Sequence, residues 1–126
     1  MKRIPKISEA EWVVMKVLWT RAPLSGNEVV DVLRDSTTWS PRTVKSMLSR
    51  LVKKKALGFA HHGRTYLYFP RVDEKDCVRS ESRSFLKRVY GGAFTPMLAH
   101  LLEEESLTAD EIAELRRLLD RKERER

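Results

Sequence analysis

The 126-residue chain has one cysteine, five glycines and no long apolar run. Because Cys77 is alone, it cannot form an internal disulfide; this excludes a disulfide scaffold or thiolate metal cluster and is typical of a reducing, cytoplasmic setting. No apolar stretch reaches about 18 residues, so no membrane span is expected. Residues 1–6 are basic but no apolar segment follows, so we expect no secretory signal. The glycines form no GxxxxGK phosphate loop.

Acidic residues are missing from the middle of the chain, where none lies between Asp35 and Asp73. Residues 1–71 contain 14 Lys and Arg against 5 Asp and Glu, whereas residues 72–126 contain 11 against 13. The net charge of +7 is therefore the sum of +9 in residues 1–71 and −2 in residues 72–126. A basic, acid-free segment is typical of proteins that bind a phosphate backbone. A solvated basic surface has the same composition, so charge alone leaves the partner open.

The first half of the chain carries start signals for three helices. Ser8–Glu11 and Ser25–Glu28 are capping boxes, in which a Ser hydroxyl and a Glu carboxylate three residues later satisfy each other's backbone N–H groups. A third helix begins with Ser40 as its N-cap and Pro41 at its first position. We expect it to continue to Lys54 or Lys55.

The third predicted helix has two chemically different faces. Val44, Met47, Leu48, Leu51 and Val52 form an apolar stripe, which predicts a core-facing side. The other side lacks acids and offers hydrogen-bond donors, which suits the major groove of DNA, although an ordinary amphipathic surface helix has the same pattern. The candidate DNA-binding residues are Ser40, Arg42, Thr43, Lys45, Ser46, Arg50 and Lys53, and Ser49 shares their face.

A β-hairpin is predicted after this helix. Residues 65–69 alternate at the period of a strand, and Gly63 supplies the turn. Three helices followed by a hairpin is the order of a winged helix-turn-helix, so the expected fold is mostly α with a small β-hairpin. The hairpin would be the wing, lying along the phosphate backbone or the minor groove. The candidate wing residues are His62, Gly63 and Arg64, with His61 beside them.

Residues 72–126 are predicted to form a helical dimerisation domain that follows a DNA-binding domain of residues 1–71. Helices should begin after Asp73, at Thr95-Pro96 and at the capping box Thr108–Glu111. Three short amphipathic helices have little core of their own, so a second copy is expected to cover them and to match a two-fold operator. The alternative is a monomer whose tail folds back. The candidate dimerisation residues are Phe85, Leu86, Val89, Met97, Leu98, Leu101, Leu102, Ile112, Leu115, Leu118 and Leu119.

No residue set predicts catalysis, a metal site or a cofactor. His61 and His62 are neighbours in a strand and point to opposite faces, so they make a poor chelate. Cys77 lies on the apolar side of its helix and is expected to be a packing residue. The acidic run Glu103–Glu105 is interpreted as a solvated helix end. The chain is therefore expected not to be an enzyme.

Short motifs spread along the whole chain resemble those of one known family. They are Ile4–Glu11, Val14–Trp19, Thr38–Val44, Gly63-Arg64 with Tyr66, Tyr68 and Pro70, Val72–Glu74, Ser84–Leu86, Tyr90–Gly92, Leu107, Glu111-Ile112 and Leu115. Together they resemble the penicillinase-repressor (BlaI/MecI) family of winged-helix regulators. The resemblance implies a homodimeric repressor that binds a palindromic operator of β-lactam-resistance or related stress genes, with Arg42, Thr43, Ser46 and Arg50 in the groove. It also implies a sensor protease as a further partner.

Three positions depart from the family pattern. Lys55 stands where the family usually has the glycine that ends the recognition helix, so it must adopt the left-handed cap or the helix must end differently. The family's cleaved Asn–Phe pair is replaced by His100-Leu101, so the resemblance does not carry that cleavage over. The paired Cys motifs of copper-responsive relatives are absent. Two other functions remain open from sequence: a winged-helix protein-interaction adaptor and a sequence-independent architectural DNA-binding protein.

Overall fold

The computed structural model describes residues 3–126; Met1 and Lys2, which begin the stretch examined for a secretory signal, lie outside the described residues. Two compact units are present, one ending at Glu81 and the other spanning Ser82–Arg126, and the boundary between them falls within a helix. The elements are α1 Glu9–Arg21, β1 Leu24–Ser25, α2 Gly26–Leu33, α3 Pro41–Lys53, β2 Leu57–His62, β3 Thr65–Pro70, α4 Glu74–Tyr90, α5 Phe94–Glu104 and α6 Ala109–Arg124.

All three predicted capping boxes are formed. In α1 the Ser8 hydroxyl accepts a hydrogen bond from the Glu11 N–H at 3.2 Å, and the Glu11 carboxylate accepts one from the Ser8 N–H at 2.9 Å. The same reciprocal pairs open α2 at Ser25 and α6 at Thr108. Because these bonds are local, they were predictable from the residue types alone.

The core of the first unit lies where the inner faces of α1, α2 and α3 meet the sheet. Four of the five apolar residues predicted for α3 are buried, while Val52 is half-buried. In α2 the core takes Val30 as well as Val29 and Leu33. Cys77 from the start of α4 is also buried in this core, which confirms its predicted packing role. The buried apolar set is Ile7, Val14, Met15, Leu18, Val29, Val30, Leu33, Val44, Met47, Leu48, Leu51, Ala56, Leu57 and Cys77.

The sheet has three antiparallel strands in the order β1-β3-β2. The predicted hairpin is present, with Phe59 opposite Tyr68 and His61 opposite Tyr66. The two-residue strand β1 was not predicted, because Leu24–Ser25 is too short to show strand periodicity. It pairs with Leu67 and Tyr68 on the side of β3 opposite β2. This third strand ties the base of the wing to the start of α2. The observed fold is thus the predicted, mostly helical winged helix with a small sheet.

The end of α3 is a left-handed turn at Lys55, whose φ is 68°. The Lys55 N–H donates to the Val52 carbonyl at 3.0 Å, and the Ala56 N–H donates to the Leu51 carbonyl at 3.0 Å. These two bonds are those of a Schellman motif, which glycine normally occupies. The first of the two predicted outcomes is therefore the observed one: a lysine adopts the conformation that the family's glycine would take.

The second unit consists of the end of α4 with α5 and α6. No residue of the range 82–126 is fully buried, so this unit has no dry core within itself. Helix α5 begins at Phe94, one residue before the predicted Thr95-Pro96. Pro96 is then its third residue. Proline is tolerated there because the backbone N–H groups of a first helical turn have no carbonyl partners within the helix. Within residues 3–126, every helix is too short or too polar to cross a bilayer.

Candidate nucleic-acid interface

The outward face of α3 begins with a side-chain cap. The Ser40 hydroxyl oxygen accepts a hydrogen bond from the Thr43 N–H at 3.2 Å, and the two hydroxyl oxygens lie 3.0 Å apart. Because Pro41 follows at the first helical position, the backbone there is already fixed for a helix. Ser40 thus orients the start of α3 and the Thr43 side chain rather than projecting freely.

The exposed side chains of α3 line one shallow, open groove. Every predicted residue from Arg42 to Arg50 contributes to it, and Ser49 joins them, whereas Lys53 is exposed one turn further on. The first turn of α3 contains no acidic residue, and its last turn contains Arg50 and Lys53. The groove-lining residues are Pro41, Arg42, Thr43, Lys45, Ser46, Ser49 and Arg50. The structure therefore brings the predicted recognition residues together on one cationic face.

Arg50 is the one member of this face that also touches a buried acid. Its Nε lies 3.8 Å from an Oε atom of Glu11, yet its side chain remains 62% exposed. The long contact steers one edge of the guanidinium towards α1 and leaves the rest in solvent. The sequence indicates Arg50 as a groove residue but not this contact, because the two residues are 39 positions apart in the chain.

Glu11 is a buried carboxylate, 1% exposed, and forms an ion pair at the C-terminal end of α3. Lys54 donates a 2.5 Å hydrogen bond to its Oε1 and a second bond, at 3.0 Å, to the Lys6 carbonyl. Burial alone would raise the pKa of Glu11, but the Lys54 hydrogen bond, the Ser8 N–H and hydroxyl, and the Lys54 charge together lower it below its usual value. The capping-box role had accounted for Glu11 in sequence analysis, so its second partner was missed.

The wing tip presents the three residues expected there. His62, Gly63 and Arg64 are all exposed, and Gly63 has a φ of 65°, the left-handed conformation that the tight turn requires. The pairing of His62 with Thr65 closes the hairpin around Gly63 and Arg64. The tip is therefore a polar, cationic loop held at the end of two paired strands.

Possible metal ligands and the thiol of Cys77 are the other groups whose chemistry bears on function. Over residues 3–126, no cluster of three His, Cys, Asp or Glu side chains is placed to hold a metal ion. Burial raises the pKa of the Cys77 thiol, and the nearby carboxylates of Asp76, Asp73 and Glu74 raise it further, so its nucleophilic thiolate is disfavoured.

A cationic helix mounted on a three-helix core with an adjoining wing defines a winged-helix DNA-binding regulator. The family model described as penicillinase repressor matches residues 7–121, and the chain belongs to that family of transcriptional repressors, which are not enzymes. The chain is 44% identical to the penicillinase repressor of Bacillus licheniformis over 120 residues, covering 95% of this chain and 94% of the relative. It is 33% identical to the methicillin resistance regulatory protein MecI of Staphylococcus aureus strain N315 over 117 residues, covering 93% and 95%.

Solved structures support the same family and fold. The DNA-binding domain of the repressor BlaI is 49% identical and superimposes with a TM-score of 0.54, covering 60% of this chain and 93% of that chain. A complex of the monomeric Bacillus licheniformis BlaI with the blaP half-operator is also 49% identical, with a TM-score of 0.53 and the same coverage. The Escherichia coli regulator MarR is 21% identical with a TM-score of 0.53, over 91% of this chain and 76% of that chain, and shows likeness of fold alone.

Proposed function

We propose that this repressor binds palindromic operator DNA as a homodimer, through α3 and the wing, and represses β-lactam-resistance or related stress genes. The acid-free, exposed face of α3 is the observation that carries the proposal. The half-operator complex of the 49% identical relative supports DNA as the partner. The proposal includes action in the cytoplasm, because that is where a bacterial operator lies.

Each residue of the α3 face has a chemical role in this proposal. Arg42 and Arg50 donate paired hydrogen bonds to guanine edges, and the Thr43 methyl group contacts thymine. Ser46, Lys45 and Lys53 contact base edges or phosphates on either side of the groove. Ser40 acts through the helix cap that places Thr43. At the wing, His62, Gly63 and Arg64 lie along the neighbouring backbone.

Dimerisation is proposed for the second unit because its apolar side chains lack cover. Phe85, Val89, Leu101 and Leu119 are exposed, while Leu86, Met97, Leu98 and Leu115 are half-buried within the unit. A second copy provides a matching apolar surface and places a second α3 on the other half of a palindrome. The remaining exposed members of the predicted set are Leu102, Ile112 and Leu118.

Release from DNA by a sensor protease is part of the same proposal. A cut within residues 82–126 would separate the DNA-binding unit from part of the dimerisation helices and so weaken binding to a palindrome. The exposed pair His100-Leu101 lies in α5, and His100 Nδ1 is 3.0 Å from the Tyr90 hydroxyl. Because this pair differs from the family's Asn–Phe, the proposal does not assign the cut to His100-Leu101.

A salt-resolved gel-shift measurement tests the proposal. The protein should prefer the operator to random duplex, and about six phosphate contacts should reduce affinity roughly 10³-fold between 50 and 200 mM salt. Arg42→Ala should lose specificity by about 1–3 kcal/mol, whereas Lys122→Ala, which removes the same charge from α6, should not. Absence of duplex binding would favour the adaptor function, and an equal loss on all sequences would favour architectural binding.

A further inference from the structure

One face of the wing carries four rings packed against one another, here termed the aromatic ladder: Phe59, His61, Tyr66 and Tyr68. The ring centroids of Phe59 and Tyr66 are 4.7 Å apart, and those of His61 and Tyr66 are 4.6 Å apart. Phe59 also lies 6.3 Å from Tyr68, so each ring contacts the next from the base of the wing towards its tip.

Strand register explains why the four rings share a face. Phe59 is directly opposite Tyr68, and His61 is directly opposite Tyr66, while residues between them project to the other side. That other side holds Phe69, whose ring covers Gly58, and the pair His62 and Thr65 nearer the tip. The two adjacent histidines therefore lie on different surfaces.

The ladder is exposed except at its base. Phe59 is 42% and Tyr66 45% exposed, whereas Tyr68 is half-buried against the core. Cross-strand aromatic pairs stabilise a hairpin, which accounts for the contacts between the rings but not for an aromatic surface left in water beside the tip. Such a surface at the end of a wing points to a contact with something outside the chain.

The ladder continues the cationic face of α3. A Cβ placed on Gly26 would lie 3.8 Å from Lys45 Cε and 3.8 Å from a ring carbon of Tyr68, so the base of the ladder adjoins a recognition-helix lysine. Arg64 stands at the other end, and the sequence from residue 36 to 72 contains no acid. The ladder thus lies within one cationic surface that extends from α3 to the wing tip.

We propose that the aromatic ladder packs against the sugar-phosphate backbone of the duplex beside the groove that α3 occupies. Phe59 and Tyr66 contact deoxyribose, and His61 donates a hydrogen bond to a phosphate oxygen. The rings are already packed on one another, so no base can stack between them, which favours a duplex backbone over single-stranded DNA. This inference rests on the proposed operator binding and adds the surface through which the wing acts.

Two substitutions on the ladder face and one on the opposite face test it. Tyr66→Thr removes a ring but keeps a good strand former, and His61→Ala removes the proposed phosphate donor; each should weaken operator binding about fivefold to thirtyfold. Thr65→Ala, on the other face of the same hairpin, should leave affinity unchanged. On a duplex trimmed of the base pairs flanking the half-site, Tyr66→Thr and the wild type should bind equally.

The outcomes separate this inference from the proposed function. If the wild type binds the operator and Arg42→Ala weakens it while both ladder variants bind normally, the ladder proposal is wrong and operator binding stands. Equal losses in Thr65→Ala and Tyr66→Thr, or losses confined to a single-stranded oligonucleotide, also overturn it. Hydrogen exchange at the Ala60 and Leu67 amides reports whether the hairpin is intact; if Tyr66→Thr melts it, the comparison of His61→Ala with Thr65→Ala decides.

Discussion

Lys54, the C-cap residue of α3, donates a hydrogen bond to the buried carboxylate of Glu11 in the first turn of α1. The same carboxylate accepts the Ser8 N–H that begins α1. One side chain therefore joins the start of one helix to the end of another, and its second oxygen lies near Arg50 on the proposed DNA-binding face. The orientation of the recognition helix depends on this charged group as well as on the apolar core.

Glu11→Gln should lower the free energy of unfolding by about 1–3 kcal/mol at neutral pH, because it leaves the Lys54 hydrogen bond without its charged acceptor. The pKa of Glu11 is lowered in the folded protein. Its contribution to stability is therefore present above the pKa of the unfolded chain and is lost as the pH falls through the lower, folded value. Urea unfolding at neutral and at acid pH should show that the difference in the free energy of unfolding between wild type and variant decreases on acidification.

Glu28→Gln is the matched control for this prediction. Glu28 closes the capping box of α2 in the same way that Glu11 closes that of α1, but it is exposed. Glu28→Gln should lower the free energy of unfolding by only about a few tenths of a kcal/mol, since exposed charges contribute little to stability. If both variants lower the free energy of unfolding equally, or if the loss in Glu11→Gln stays constant with pH, the capping box and not the buried pair supplies the stability.

Lys55→Gly should raise the free energy of unfolding by about 0.5–1 kcal/mol. A residue with a Cβ is strained at a φ of 68°, whereas glycine is not, although glycine loses more backbone entropy on folding. Chemical denaturation measures the change. Lys55→Ala removes the same charge without relieving the strain and should not stabilise the protein; stabilisation by alanine would assign the effect to charge instead.

Local features of this fold followed from local residue types. The Ser caps, the apolar stripe of α3 and the Gly63 turn each depend on residues spaced no more than four positions apart, so they could be predicted from the sequence. The strand β1 was missed because two residues carry no period, and it exists only through its pairing with β3. Val29, Val32 and Leu33 have the spacing of one helical stripe, but α2 buries Val29, Val30 and Leu33 and leaves Val32 half-buried, because packing against α1 and α3 decides which side of α2 faces inward.

The candidate site shows the same division between local and long-range information. Helical periodicity was sufficient to place Arg42, Lys45 and Ser46 on one face. The contact of Arg50 with Glu11 joins residues far apart in the chain, and no local pattern predicts it. The aromatic ladder was within reach of the sequence, since Tyr66 and Tyr68 alternate, but its other half required the register of β2 on β3.

Cys77 should react slowly with a maleimide in the native protein and rapidly in urea. Its side chain is buried in the first unit, and burial, with the nearby carboxylates, raises the pKa of its thiol, so both access and thiolate fraction are low. The labelling rate, followed by mass spectrometry, should increase with denaturant in parallel with unfolding. Rapid labelling without denaturant would show that the start of α4 opens readily and that Cys77 is not a stable part of the core.

Leu119→Glu should convert the proposed dimer largely to monomer. Leu119 is 57% exposed in α6, so the substitution removes little packing within its own unit, but it would bury a charge in an apolar interface. We expect the dimer dissociation constant to rise at least about tenfold, as measured by sedimentation equilibrium. Affinity for a full palindrome should fall while affinity for a single half-site stays the same, because the α3 face is untouched.

Arg117→Glu places the same residue on the other side of α6, two positions from Leu119 and about 200° around the helix. Arg117 is exposed and belongs to the polar stripe that faces away from Ile112 and Leu115. This control should therefore remain dimeric. If both variants dissociate, net charge and not the apolar surface controls association; if neither does, another surface of the chain pairs the two copies.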